Sequence, residues 1–164
     1  MGRQRITVEK PILVYADTSV YGGMFDEEFT KPSRSFFDRV RAGRFRLVLS
    51  TLVRDELEEA ATPVRNSFEE VRRLCDIVDV TEEAILLQRA YLEAGIISRD
   101  WEADALHVAL ASVSGCRLLV SWNFKHIVHF EKIPMYNGVN LANGYGSLGI
   151  HSPQEVIEDE GENI

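Results

Sequence analysis

The feature that most constrains this chain is a regular alternation, in which short and almost wholly apolar runs are separated by stretches with helical spacing. The runs fall at 12–16 (Ile-Leu-Val-Tyr-Ala), 46–50 (Arg-Leu-Val-Leu-Ser), 77–80 (Ile-Val-Asp-Val) and 117–121 (Arg-Leu-Leu-Val-Ser). Such strands are buried on both faces, so helices must cover the sheet on each side. Helical patterns at 33–42, 51–61, 64–75, 82–94 and 101–114 supply that cover, with Gly43, Pro63, Gly95 and Gly115 as breaks. The pattern predicts an α/β fold with a mainly parallel sheet of about five strands. The stretch from Pro134 to Gly149, rich in Gly and Asn, is expected to hold an irregular loop and a last short strand before Ser152-Pro153.

With 164 residues and 45% hydrophobic content, residues 1–157 are expected to form one domain, followed by an acidic tail over 158–164. No stretch reaches the roughly 18 continuous apolar residues of a membrane helix. The start, Met1-Gly2-Arg3-Gln4-Arg5, lacks the apolar segment of a secretory signal, so a cytoplasmic location is expected. Cys75 and Cys116 form neither a CxxC pair nor a disulfide framework, and are expected to be buried small hydrophobes in a reducing compartment.

A net charge of −8 argues at first against a nucleic-acid partner. Five of the acids (Glu155, Glu158, Asp159, Glu160 and Glu162) fall in residues 155–164 with no base among them, which leaves −3 for the rest. Basic clusters remain at Arg39, Arg41, Arg44 and Arg46, at Arg72 and Arg73, and at Lys125 with Lys132. Their ordinary reading is a solvated face.

Three acids fall in unusual settings. Asp17 ends the first apolar run, at the strand edge where open α/β sheets gather their ligands. Glu56 falls within the stripe of Leu52, Val53, Leu57 and Ala60, whereas Asp55, Glu58 and Glu59 read as surface charges. Asp104 starts a helix whose Ala103, Ala105, Leu106, Val108, Ala109, Leu110, Ala111 and Val113 leave almost no polar face. A turn-forming role would account for Asp17, and a place near a helix N-terminus for Asp104; neither explains Glu56. Carboxylates are seldom buried unpaired, and two of them about 5 Å apart repel by roughly 3 kcal/mol at an effective dielectric near 20. A divalent cation with a preference for oxygen, Mg²⁺ or Mn²⁺, would relieve that repulsion and bring phosphodiester chemistry.

Four ordered blocks then carry a family resemblance: Val14-Tyr-Ala-Asp17-Thr18-Ser19; Ser50-Thr-Leu-Val-Arg-Asp-Glu56-Leu57; Asp104-Ala-Leu-His107-Val-Ala-Leu-Ala111; and Leu119-Val-Ser-Trp122-Asn123-Phe124-Lys125-His126. Together they resemble the PIN-domain proteins over about residues 12 to 157. The resemblance implies a three-layer α/β/α fold, a Mg²⁺ or Mn²⁺ site and endoribonuclease activity on RNA. Many bacterial and archaeal relatives are VapC-type toxins held inactive by a cognate antitoxin, so an antitoxin and a second copy of the chain are the protein partners to look for. Asp17, Glu56 and Asp104 match the family's first three acidic positions, as metal ligands and catalytic residues. The fourth catalytic position is Asn123, which adds an amide oxygen but no charge. That departure leaves a second reading open, a catalytically degenerate module that binds RNA or a partner protein.

Around these positions, Thr18, Ser19 and Lys125 are placed to hydrogen-bond a phosphate or the water beside an ion, although turn chemistry also explains Thr18 and Ser19. His107 follows Asp104 by one turn and reads as a packing histidine or a shared ligand. His126 and His129 are also a turn apart, but without a third N or S ligand in the pattern. Trp122 and Phe124 are candidates for base stacking or for the core. A phosphatase of the aspartyl-phosphate kind would need a second acid where this chain has Ser19.

Overall fold

The computed structural model describes residues 10–158. The expected acidic tail lies outside the described residues, apart from the backbone of Glu158, which closes the last helix. The chain runs β1 (Ile12–Ala16), α1 (Thr18–Gly23), α2 (Thr30–Arg41), β2 (Phe45–Ser50), α3 (Thr51–Leu57), α4 (Thr62–Arg72), β3 (Asp76–Val78), α5 (Glu82–Glu93), a 3₁₀ turn (Arg99–Trp101), α6 (Glu102–Val113), β4 (Leu118–Val120), α7 (Lys132–Ala142), β5 (Gly149–His151) and α8 (Pro153–Glu158). All strand pairs are parallel, in the order β3-β2-β1-β4-β5.

That order reverses at β1. Chain growth moves outward through β2 and β3, then returns to the other side of β1 for β4 and β5. With right-handed crossovers the two directions place their helices on opposite faces of the sheet. The contacts agree: α1 packs on α2, α3 and α4, and α2 on α8, while α5 packs on α6 and α7. The expected three layers are present, and the crevice between the C-terminal ends of β1 and β4 is where such a sheet receives ligands.

Burial follows the apolar pattern. Val14, Tyr15, Ala16, Leu47, Leu49, Leu119 and Val120 have no exposed surface, as central parallel strands require. Every residue of α6 from Ala105 to Ser112 is buried, which accounts for a helix that is apolar all round. Gly95 and Gly115 follow α5 and α6 with positive φ, the left-handed turn that ends a helix and favours glycine. Gly23 serves close approach instead: a Cβ there would lie 2.6 Å from Ser33 Oγ and 2.7 Å from Trp122 Nε1. Cys116 is buried and Cys75 partly so, both as free thiols, and burial pushes each up to about 12.

The structure departs from the sequence reading in four places. Residues 18–23 form a helix, capped by Asp17, where only turn chemistry was legible. The helix expected over 51–61 ends at Leu57, which removes Ala60 from its stripe and leaves Glu56 at the rim rather than inside it. Pro63 opens α4 instead of breaking a helix, because the first turn needs no proline N–H. The expected loop in 134–149 is largely helix α7, with Pro134 again harmless in the first turn. Poor helix formers are held there by tertiary hydrogen bonds. Asn140 accepts from Tyr91 Oη and donates to Ser112 Oγ at 3.0 Å, while Asn137 brackets Leu148, accepting from its N–H at 2.6 Å and donating to its carbonyl at 3.0 Å.

Among the described residues, no helix is long and apolar enough to cross a membrane.

Candidate active site

Asp17 sits at the crevice, 4% exposed, one residue past β1. Its N–H donates to Val120 O at 3.2 Å, which aligns the ends of β1 and β4. Its carboxylate is filled by hydroxyls. Oδ1 accepts from Ser19 N at 3.2 Å and Ser19 Oγ at 2.5 Å, and Oδ2 accepts from Ser121 Oγ at 2.7 Å. Burial pushes the Asp17 carboxyl above the ordinary aspartate range; His107 and the two serines pull it back, and the charge of Asp104 adds to the rise. Asp17 is therefore both a helix cap and a buried charge that feels a second acid.

Asp104 lies in the first turn of α6, partly buried, and its side chain takes no hydrogen bond or ion pair among the described residues. Glu56 is tethered. Its Oε1 accepts from Thr18 Oγ1 at 2.8 Å and bonds His107 Nε2 at 2.6 Å, while Oε2 takes no bond among the described residues. At 36% side-chain exposure Glu56 borders solvent rather than the core. Burial raises its pKa, but the His107 hydrogen bond and charge, with the Thr18 hydroxyl, outweigh it and the net shift is downward.

His107 is the residue whose role the sequence hid. Its side chain is 4% exposed, and its Nδ1 lies 2.7 Å from Tyr15 Oη, which lies 2.7 Å from Ser50 Oγ. Ser50 in turn caps α3 by accepting from Val53 N at 3.2 Å. An ionised Glu56 can only accept, so Nε2 carries a hydrogen; Nδ1 accepts from Tyr15 Oη when the ring is neutral and donates to it when the ring is charged. A buried chain thus runs from the end of β2 through β1 and α6 to fix one oxygen of Glu56 and leave the other free. The only sequence signal was the spacing of His107 from Asp104. Ser121, one residue past β4, was missed because it read as strand.

Asn123 joins the site through Ser121, whose Oγ accepts the Asn123 N–H at 2.9 Å. Its own Oδ1 caps a turn, accepting from His126 N at 2.9 Å. Trp122 is structural: it stacks on Phe29 at 4.2 Å and donates from Nε1 to Ser33 Oγ at 2.8 Å. Phe124 remains exposed, and Lys125 Nζ stands 5.4 Å from the centre of the Trp101 ring.

Hydrogen bonds and charge thus link Asp17, Thr18, Ser19, Glu56, Asp104 and Asn123 in one neighbourhood, and Lys125 stands apart on Trp101. Among the described residues, no three His, Cys, Asp or Glu side chains stand close enough together to hold a metal ion, the expected trio and the His126 and His129 pair included. In kind, the donors suit a hard cation: they are oxygens, Asp104 is unpartnered, and no Lys or Arg among the described residues pairs with any of the three acids.

Comparison with known proteins bears on the fold. No family model matches the chain, and no curated protein matches it. A chain in the crystal structure of VapBC2 from Rickettsia felis, bound to a DNA fragment from its promoter, superposes with a TM-score of 0.58 at 15% identity, covering 86% of this chain and 98% of that one. A chain of DNA-bound VapBC from Salmonella typhimurium gives 0.55 at 18% identity, covering 87% and 98%. The chain therefore has the fold of these VapBC chains, the α/β/α arrangement that the PIN-domain resemblance implied.

Proposed function

We propose that this protein is a divalent-metal-dependent ribonuclease of the PIN-domain kind, acting at the crevice between β1 and β4. The observation that carries the reading is the buried Asp17 carboxylate at the point where strand order reverses, with the unpartnered Asp104 and the tethered Glu56 around it. The fold likeness to VapBC chains supports it. Asp17, Asp104 and the free oxygen of Glu56 are the groups that would hold Mg²⁺ or Mn²⁺, drawing closer together than they now stand. Such an ion, when bound, offsets the phosphate charge and makes water a better nucleophile.

The chain's own residues do the positioning. Ser19 and Ser121 orient both oxygens of Asp17, and the short α1 behind it keeps that carboxylate at the crevice. His107 and Thr18 fix one oxygen of Glu56 and leave the other free to turn toward an ion. Toxin activity and a cognate antitoxin belong to the same proposal, as does pairing with a second copy of the chain.

The test is direct. Purified protein with Mn²⁺ is expected to cleave single-stranded RNA, EDTA to stop it, and Asp104→Asn to lose most of it. Equal cleavage by wild type and Asp104→Asn would assign the activity to a contaminant. One observation favours the rival reading of a binding module: the Asn123 amide oxygen is engaged as a turn cap. Under that reading the protein retains RNA without cutting it in either Mn²⁺ or Mg²⁺.

A further inference from the structure

Trp101 ends the 3₁₀ turn that leads into α6, three residues before Asp104. It is 46% exposed, unusual for so large an apolar ring. Its indole stacks on His126, with ring centres 4.7 Å apart and planes 29° from parallel. His126 is buried, and neither of its ring nitrogens has a hydrogen-bond partner among the described residues. It is held in place by its own N–H, which donates to Asn123 Oδ1 at 2.9 Å, and it feels the charge of Asp104. The stack therefore begins at the candidate active site and ends in solvent. Lys125 stands at the ring, 5.4 Å from its centre.

We propose that Trp101 is a nucleobase subsite, taking one unpaired base of a single-stranded RNA whose backbone runs past Asp104. The inference rests on the ribonuclease reading for the identity of the ligand and adds the residue that grips it. An exposed indole, braced by a buried imidazole, presents a flat surface on which any base can stack once the Lys125 side chain over the ring gives way. Lys125 at the ring and Arg99 in the same turn stand beside acids at Asp100 and Glu102. Local charge is thus close to balanced in a chain of net charge −8, and stacking rather than phosphate attraction must supply the affinity. Such binding requires an unpaired base and depends weakly on salt.

The experiment is a fluorescence titration of the full chain with a short oligoadenylate in EDTA, so that nothing is cut. Wild type is expected to show quenched tryptophan emission, with affinity changing little with salt and with little competition from duplex RNA. Trp101→Ala should lose the quenching and bind about 5- to 150-fold more weakly, and Trp101→Phe should recover most of the affinity. Because Trp101 is half-exposed, unchanged melting temperatures will show that both variants fold. Absence of quenching in wild type, or equal affinity in Trp101→Ala, overturns the proposal and leaves this face to a protein partner. Binding without cleavage in Mn²⁺ would sink the ribonuclease reading alone, whereas cleavage with equal KM in Trp101→Ala would sink the subsite alone.

Discussion

Asp17→Asn is expected to cut RNA cleavage by about 100-fold or more while raising the melting temperature of the metal-free protein. The two effects share one cause, a buried carboxylate whose charge His107, Ser19 and Ser121 offset only in part. Burial, to which the charge of Asp104 adds, outweighs His107, Ser19 and Ser121 and leaves the Asp17 pKa raised in the folded state. The native state therefore binds the proton more readily than the unfolded chain. Stability falls as pH climbs from the unfolded value, near ~3.9, through the raised folded value, and stays reduced above it. Asparagine keeps the shape and can still bond Ser19 and Ser121, but carries no charge. The gain should be full at pH 7 and vanish in acid, and each kcal/mol gained should appear as about 2–4 °C. Differential scanning calorimetry at two pH values checks this; a variant that melts lower than wild type at pH 7 would show that Asp17 is already compensated.

The second large effect separates the two nitrogens of His107. A glutamine at 107 can place an amide N–H near the position of Nε2 and so keep the bond to Glu56, whereas an asparagine reaches only the Nδ1 position, toward Tyr15. His107→Asn should lose about 10- to 100-fold in kcat with little change in KM, and His107→Gln should stay within several-fold of wild type. His107→Gln costs some stability by breaking the buried bond to Tyr15, at roughly 1 kcal/mol, and His107→Asn costs less because the bond to Glu56 is partly exposed. A purely structural role for His107 would give equal activity losses in the two. The Glu56 bond also has a pH signature. Its folded pKa is lowered, so its contribution is present above the unfolded value of about 4.3 and fades as pH falls through the folded one. Glu56 is over a third exposed, so water screens the pair and that contribution is small. The stability gap between wild type and His107→Asn should narrow in acid.

The strands and α6 were legible because their signal is compositional: a buried parallel strand or an enclosed helix must be largely apolar, as are β1, β2 apart from Arg46 and Ser50, and Ala105–Ser112 apart from His107 and Ser112. Helix α7 was not, because its stabilising contacts are polar and distant. Asn140 and Asn137 look like loop residues until Tyr91, Ser112 and Leu148 are beside them. The same holds for the site. Asp17 and Asp104 stood out as acids in apolar surroundings; the structure buries Asp17 and leaves Asp104 partly buried beside the exposed Trp101, Glu102 and Ala103. Glu56 was found for a partly mistaken reason, since the helix ends before its stripe is complete. The partners of His107 come from β1, from the end of β2 and from α3, and no spacing along one chain segment can reveal them. Of the two tryptophans, the one beside Asn123 proved structural, and the exposed one lies a turn before Asp104.

The central claim is that Asp17, Glu56 and Asp104 act together on one divalent cation. Calorimetric titration of the metal-free protein with Mn²⁺ tests it without any need for substrate. The account predicts a saturable site in wild type that weakens at least about tenfold in each of Asp17→Asn, Glu56→Gln and Asp104→Asn. Undiminished Mn²⁺ binding in all three variants, or none in wild type, would contradict it.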